Sequence, residues 1–184
     1  MKKTIFTILT SLSVLMLLGQ DVRFSESDKV INLGVGFGQN LYLGSAYSTM
    51  ILPISTSLEI GLIDDVLEVE NLNLGVGGYL GFLTTRYETT PKSGLNYSDI
   101  IVAGRSALHY PLVDKLDTYL GLILGLRLYS ESNYGVDPSW NKTGARVAYN
   151  WFVGGRYYFT ENLAVMAELG YGISYINIGL AVKF

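Results

Sequence analysis

The sequence predicts an all-β chain: an eight-stranded antiparallel up-and-down transmembrane β-barrel, preceded by a cleaved signal peptide. Three observations predict it. Apolar residues recur at every second position through most of the chain, the mark of strands with two unlike faces. The connections between those stretches alternate in length, as they do in a barrel with short turns at one end and long loops at the other. The N-terminus joins Lys2 and Lys3 to an apolar run, Ile5 to Leu18, that is shorter than the roughly 20 residues of a spanning helix.

The composition agrees. Of 184 residues, 49% are hydrophobic and only 16% charged, against roughly 25% charged in an average soluble domain. Mean hydropathy is +0.30. The 21 Gly disfavour helix interiors, and the 14 Tyr suit strands and membrane interfaces. There is no Cys, which excludes a disulfide framework, thiol catalysis and thiolate metal sites. Cleavage after Gly19 divides the chain into a signal peptide (1–19), a short periplasmic segment (20–28) and a barrel domain (29–184). Removing Lys2 and Lys3 takes the formal charge from −3 to −5, so nucleic acid is not an expected partner.

Each element follows from the alternation. In Val30–Phe37, Leu33, Val35 and Phe37 oppose Asn32, Gly34 and Gly36. In Met50–Leu62, Leu52, Ile54, Leu58 and Ile60 oppose Ser55, Ser57, Glu59 and Gly61. Leu72–Phe82 sets Leu74, Val76, Leu80 and Phe82 against Gly75, Gly77, Tyr79 and Gly81. Ile100–Tyr110 sets Ile100, Val102 and Leu108 against Ala103, Arg105, Ala107 and His109. Thr118–Tyr129 runs Leu120, Leu122, Leu124, Leu126 and Leu128 against Tyr119, Gly121, Gly125 and Arg127. Arg146–Phe159 and Leu163–Tyr171 repeat the pattern. The last strand ends Ile176, Ile178, Leu180, Val182, Phe184 against Asn177, Gly179, Ala181 and Lys183. Asp64–Glu70, Val113–Asp117 and Thr160–Asn162 read as compact turns. Gln39–Thr49, Glu88–Tyr97 and Ser130–Thr143 read as longer loops, and Gly172–Ser174 as a tight hairpin.

A soluble carrier would turn the greasy face inward around an apolar ligand; a membrane barrel turns it out to lipid. The other face is rich in Gly yet poor in Lys and Glu, which suits a narrow interior better than a solvated surface. On the greasy face Tyr149, Trp151, Tyr157, Phe159 and Tyr171 stand at spaced heights, and eight residues climb roughly 20 Å of a band about 25 Å tall. The terminal stripe Ile176, Ile178, Leu180, Val182 and Phe184 looks like the assembly signal of bacterial outer-membrane barrels. Through that strand and its overall pattern, the mature chain resembles the OmpA/OmpX-like family of small eight-stranded barrels. The resemblance implies a location in the outer membrane of a Gram-negative bacterium, among outer-membrane lipid and lipopolysaccharide. It also implies insertion by the barrel-assembly machinery and loops available to an extracellular or envelope protein partner.

No enzyme motif stands out, and no cofactor is expected. His109 is the only histidine. A lipid deacylase would need it facing lipid near the outer leaflet, whereas it falls on the inward face near the periplasmic end. Gly34-Val-Gly36 and Gly75-Val-Gly77 lack the following helix that a phosphate cradle requires. The inward charges Glu59, Arg105, Arg127, Arg156 and Glu168 are the candidate site. In a barrel just wide enough for its own side chains they must find partners, Arg156 lying about one pair from Glu168 on the ladder. They are expected to form a structural plug beneath loops that carry surface interactions. A small porin-like channel and a lipid-modifying barrel enzyme are the alternatives.

Overall fold

The structure, a computed structural model, describes residues 23–90, 92–135 and 141–184, so the expected signal peptide lies outside the described residues. The strands are β1 (Lys29–Phe37), β2 (Tyr47–Ile63), β3 (Asn73–Thr90), β4 (Ser93–Val113), β5 (Leu116–Tyr134), β6 (Asn141–Tyr158), β7 (Leu163–Tyr171) and β8 (Ile176–Lys183). Each pairs antiparallel with the next. β8 returns to β1 through Leu33↔Leu180 and its neighbours, closing the barrel and leaving no open sheet edge at that seam.

The greasy face points out. All five leucines of β5 from Leu120 to Leu128 are exposed, as are Leu33, Ile54, Leu80, Val102, Val147 and Leu180 on other strands. Water would penalise such a surface heavily, whereas lipid matches it. Tyr149, Trp151, Phe159 and Tyr171 stand exposed on that face, with Tyr157 half-buried between its neighbours.

Parts of two expected loops are strand instead. Glu88–Tyr97 was read as a connection, yet β3 and β4 stay paired up to Thr90↔Ser93. Ser130–Tyr134 and Asn141–Thr143 likewise extend β5 and β6, which pair up to Ser132↔Asn141. The apolar alternation records contact with lipid rather than the strand itself. Above the membrane both faces of a ribbon are wet, so the pattern stops while the hydrogen-bonded ladder continues. β1, β7 and β8 have no such extension, and the wall is low on their side.

The interior is filled by large side chains made possible by glycine. A Cβ on Gly154 would lie 2.7 Å from the Tyr119 ring and 2.8 Å from Glu168 Cγ, and one on Gly75 2.5 Å from Glu59 Oε1 and 2.9 Å from Phe24. Residues 23–28, ahead of β1, fold back under the barrel. Ser27 N–H donates to the Gly61 carbonyl (3.0 Å), and Asn73 Nδ2 to the Phe24 carbonyl (2.5 Å). Phe24 is thereby carried into the lumen, where only 2% of it remains exposed.

Gly154→Val should therefore push Tyr119 and Glu168 apart and cost about 1–3 kcal/mol through overpacking. The folded barrel is expected to migrate faster unheated than boiled, and the variant should convert to the slow form at a lower temperature. An unchanged conversion temperature would show that the lumen has slack at this level.

Candidate functional site

The period-two geometry of six strands sends polar groups to one level of the lumen. β1 supplies Asn32, β2 Glu59, β4 Arg105 and His109, β5 Asp117 and Tyr119, β6 Arg156 and β7 Glu168; all are buried. Glu59 is the hub. Its Oε2 accepts from Arg156 Nη2 at 2.5 Å and Arg105 Nε at 3.3 Å, and its Oε1 faces His109 Nε2 at 2.5 Å. Arg156 also donates to Asp117 Oδ2 (3.2 Å) and Asn32 Oδ1 (3.0 Å). Arg105 donates to Glu168 Oε1 (2.7 Å), which accepts a second bond from the Tyr119 hydroxyl (2.9 Å).

The charges balance. His109 Nδ1 lies 2.9 and 3.0 Å from the two Asp117 oxygens while Nε2 faces Glu59. Between two ionised carboxylates, which only accept, both ring nitrogens donate, as an imidazolium does. Glu59, Asp117 and Glu168 then meet Arg105, Arg156 and His109, three charges of each sign. Such compensation is what lets charges persist in a low dielectric. The guanidinium planes also lie against aromatic faces, Arg105 4.0 Å from the Phe152 centroid and Arg156 4.6 Å from Tyr119.

Apolar layers close this level on both sides. Below it Phe24, Val30, Tyr158, Ala164 and Ala181 pack together, with Phe24 stacked 4.0 Å from the His109 ring. Above it sit Tyr79, Leu83, Ile101, Ile123, Phe152 and Ile173. A gap of about 20 Å³ beside Glu168 has room for about one water.

Of the five charges proposed from sequence, four meet here and Arg127 does not. Arg127 lies nearer the extracellular mouth, where its Nε donates to Asp99 Oδ1 at 2.6 Å and its guanidinium lies 4.9 Å from the Tyr42 ring. Burial first, and the Asp99 carboxylate second, push the Tyr42 phenol above its usual range. The expected Arg156–Glu168 pairing is also replaced. Register sets Glu168 against Gly154 and Arg156 against Met166, and each charge instead reaches across the lumen. Asp117 was read as a turn residue and Asp99 lay just ahead of a predicted strand. Both share the inward parity of Tyr119 and Ile101, so strand parity extended by a residue or two would have found them. Phe24 carries no such signal.

Glu59→Gln should take a shared carboxylate from three cations at once, leaving Asp117 and Glu168 to serve all of them, and cost on the order of 3–5 kcal/mol. Glu168→Gln should cost less, because Arg105 keeps Glu59. Urea unfolding in lipid vesicles, followed by tryptophan fluorescence, measures both. Equal midpoints for the two variants and wild type would remove the network from the list of stabilising features.

No protein-family model matches this sequence, and no curated protein matches it. Solved structures do share its fold. The attachment invasion locus protein Ail of Yersinia pestis, in complex with the heparin analogue sucrose octasulfate, aligns with a TM-score of 0.51 at 10% identity, over 86% of this chain and 95% of that one. The N-terminal β-barrel domain of Pseudomonas aeruginosa OprF aligns at 0.44 and 13% identity, over 86% and 98%. Neisserial surface protein A aligns at 0.45 and 13%, over 85% and 95%. With its closed eight-strand topology and outward apolar face, the chain is a small antiparallel transmembrane β-barrel of the fold seen in Ail.

Proposed function

We propose that this chain is a non-enzymatic outer-membrane protein of a Gram-negative cell, a sealed barrel that anchors surface-exposed ribbons for interaction. The observation that carries the reading is the filling of the lumen. Two apolar layers enclose a charge-balanced one, which supports an anchor over a water path. His109 is held between two carboxylates and under Phe24, an arrangement suited to packing rather than to turnover.

The ribbons are the contact surface in this reading. Tyr42, Tyr47, Tyr87 and Tyr97 cluster at the extracellular end, with centroids 4.7 Å apart for Tyr42–Tyr97 and 4.8 Å for Tyr47–Tyr87. Arg86 lies 4.6 Å from the Tyr134 ring on the same projection. Rigid tyrosines with an interleaved arginine suit recognition of an extracellular or envelope protein. Outer-membrane lipid and lipopolysaccharide surround the barrel below. The stripe ending in Phe184 is read by the barrel-assembly machinery during insertion.

Reconstituted in a planar bilayer, the wild-type barrel should give no steady conductance. Steady, ion-selective current that shifts selectivity in Glu168→Gln would replace the anchor with a channel. Deleting Phe184 should lower the amount recovered in the outer-membrane fraction and leave protease-sensitive periplasmic material. Unchanged yield and insertion rate would make this residue dispensable as a signal.

A further inference from the structure

The low side of the wall leaves a doorway. The β6–β7 ladder ends at Trp151↔Tyr171, so, among the described residues, 141–150 of β6 have a strand neighbour on one side only, β5. Behind that edge, above the upper apolar layer, lies a cavity of about 210 Å³. Its inner wall carries Leu41, Tyr79, Ile101, Ile123 and Ile173, while Val147, Tyr149 and Tyr171, which face outward, form its rim. It therefore opens through the wall as well as toward the mouth. On β5 the outward leucines continue to Leu128, whose partner is Ala145, six residues beyond Trp151 on β6. The doorway thus begins within the apolar band and not above it.

Its polar groups are distributed unevenly. Arg127 and Arg146 both line the cavity and stand directly opposite each other in register, a like-charge pairing that is unfavourable by itself. Asp99 answers Arg127, which leaves this trio with one excess positive charge. Asn40, 92% buried, also lines the cavity, and its Nδ2 has no hydrogen-bond partner; the buried Oδ1 of Asn150 has none either. Buried polar atoms are ordinarily satisfied, so the orphan Asn40 donor points to a missing acceptor in the cavity, whereas the Asn150 oxygen calls for a donor that an anion does not supply. β5 rises from Ile123 to Arg127 toward the extracellular side, so the cavity is apolar low and cationic high. That gradient runs the same way as the outer leaflet, whose chains lie below its head groups.

We propose that this cavity is a binding site for a single-chain anionic amphiphile, an alkyl chain ending in a carboxylate or phosphate, which enters sideways from the outer leaflet. The head group lies at Arg127 and Arg146, within reach of Asn40, and the upper chain lies against Ile101, Ile123 and Ile173. The volume equals that of about seven waters, so only part of a long chain is enclosed. The rest extends along Tyr149 and Tyr171 into lipid. The site lies above the sealed level and does not depend on the lumen being closed.

Binding of 11-(dansylamino)undecanoate to the full barrel in lipid nanodiscs tests this. Its fluorescence should rise saturably, and decanoate and decyl phosphate should compete at least about tenfold better than decyltrimethylammonium. Ala148→Phe, which fills the cavity, should weaken binding about tenfold or more while heat-modifiable migration persists. Arg146→Gln, at the exposed rim, should weaken decanoate several-fold and leave decanol unchanged, which tests the site even if the filled variant does not insert. Non-saturable uptake, or equal binding by wild type and both variants, would overturn the site. Equal competition by the cation would overturn its anion preference. Dodecanoate loaded through the bilayer should outcompete water-borne hexanoate; equal potency would mean entry from the medium and end the sideways route.

Discussion

The lumen of an eight-stranded barrel is too narrow for bulk water, and every charge placed there must find its opposite within it. Glu59 is where that requirement is met. One carboxylate faces two guanidinium groups and an imidazolium from β4 and β6, and Asp117 and Glu168 complete the balance. Ion pairs enclosed this way contribute little net stability compared with apolar packing of equal volume. They contribute definition: a shift in the register of a strand that carries one of these groups breaks the bonds that group makes. A one-residue slip in any strand would move its charge to the lipid face, where the cost is greatest.

The same logic explains how the fold was legible. Two solvents, lipid outside and a packed interior inside, force a strict period of two, and that period survives in the bare sequence from Leu33 to Phe184. Strand identity, order and facing all follow from it. Where only one solvent is present the signal fades. The β3–β4 and β5–β6 extensions are hydrogen-bonded as well as the membrane portion, yet Tyr87, Glu88, Asn96 and Ser132 carry no apolar stripe, and the sequence reads as loop. The candidate site was legible in its membership of Glu59, Arg105, Arg156 and Glu168, because charge on an inward parity is itself improbable without a role. Its pairing was not legible. Cross-lumen partners depend on barrel shear and side-chain reach, as in Arg156 spanning 97 residues of sequence to Glu59, and no local pattern encodes either.

The uneven wall separates two regions that could otherwise interfere. Below Phe152 the barrel is closed on all sides by paired strands and filled side chains. Above it β7 and β8 fall away while β3 to β6 continue, so the upper region has a face without a neighbour and room behind it. Arg127, which sequence parity grouped with the deep charges, belongs to that upper region by height. The distinction between the two arginine environments is one of elevation along the barrel axis, a coordinate that strand parity alone does not supply.

One wall component is missing from any account of strands alone. The ring that covers His109 from below belongs to Phe24, five residues ahead of the first strand, and is tied by Asn73 and by Lys183, whose ammonium donates to the Arg23 carbonyl at 2.9 Å. The eight strands can therefore be complete while the lumen is not. A protease that trimmed the chain between Phe24 and Lys29 would leave every ladder intact and uncover the imidazolium from the periplasmic side. The segment just ahead of β1 thus sets the boundary of the hydrophobic seal, and a cut within it would convert a closed interior into a blind, wettable well.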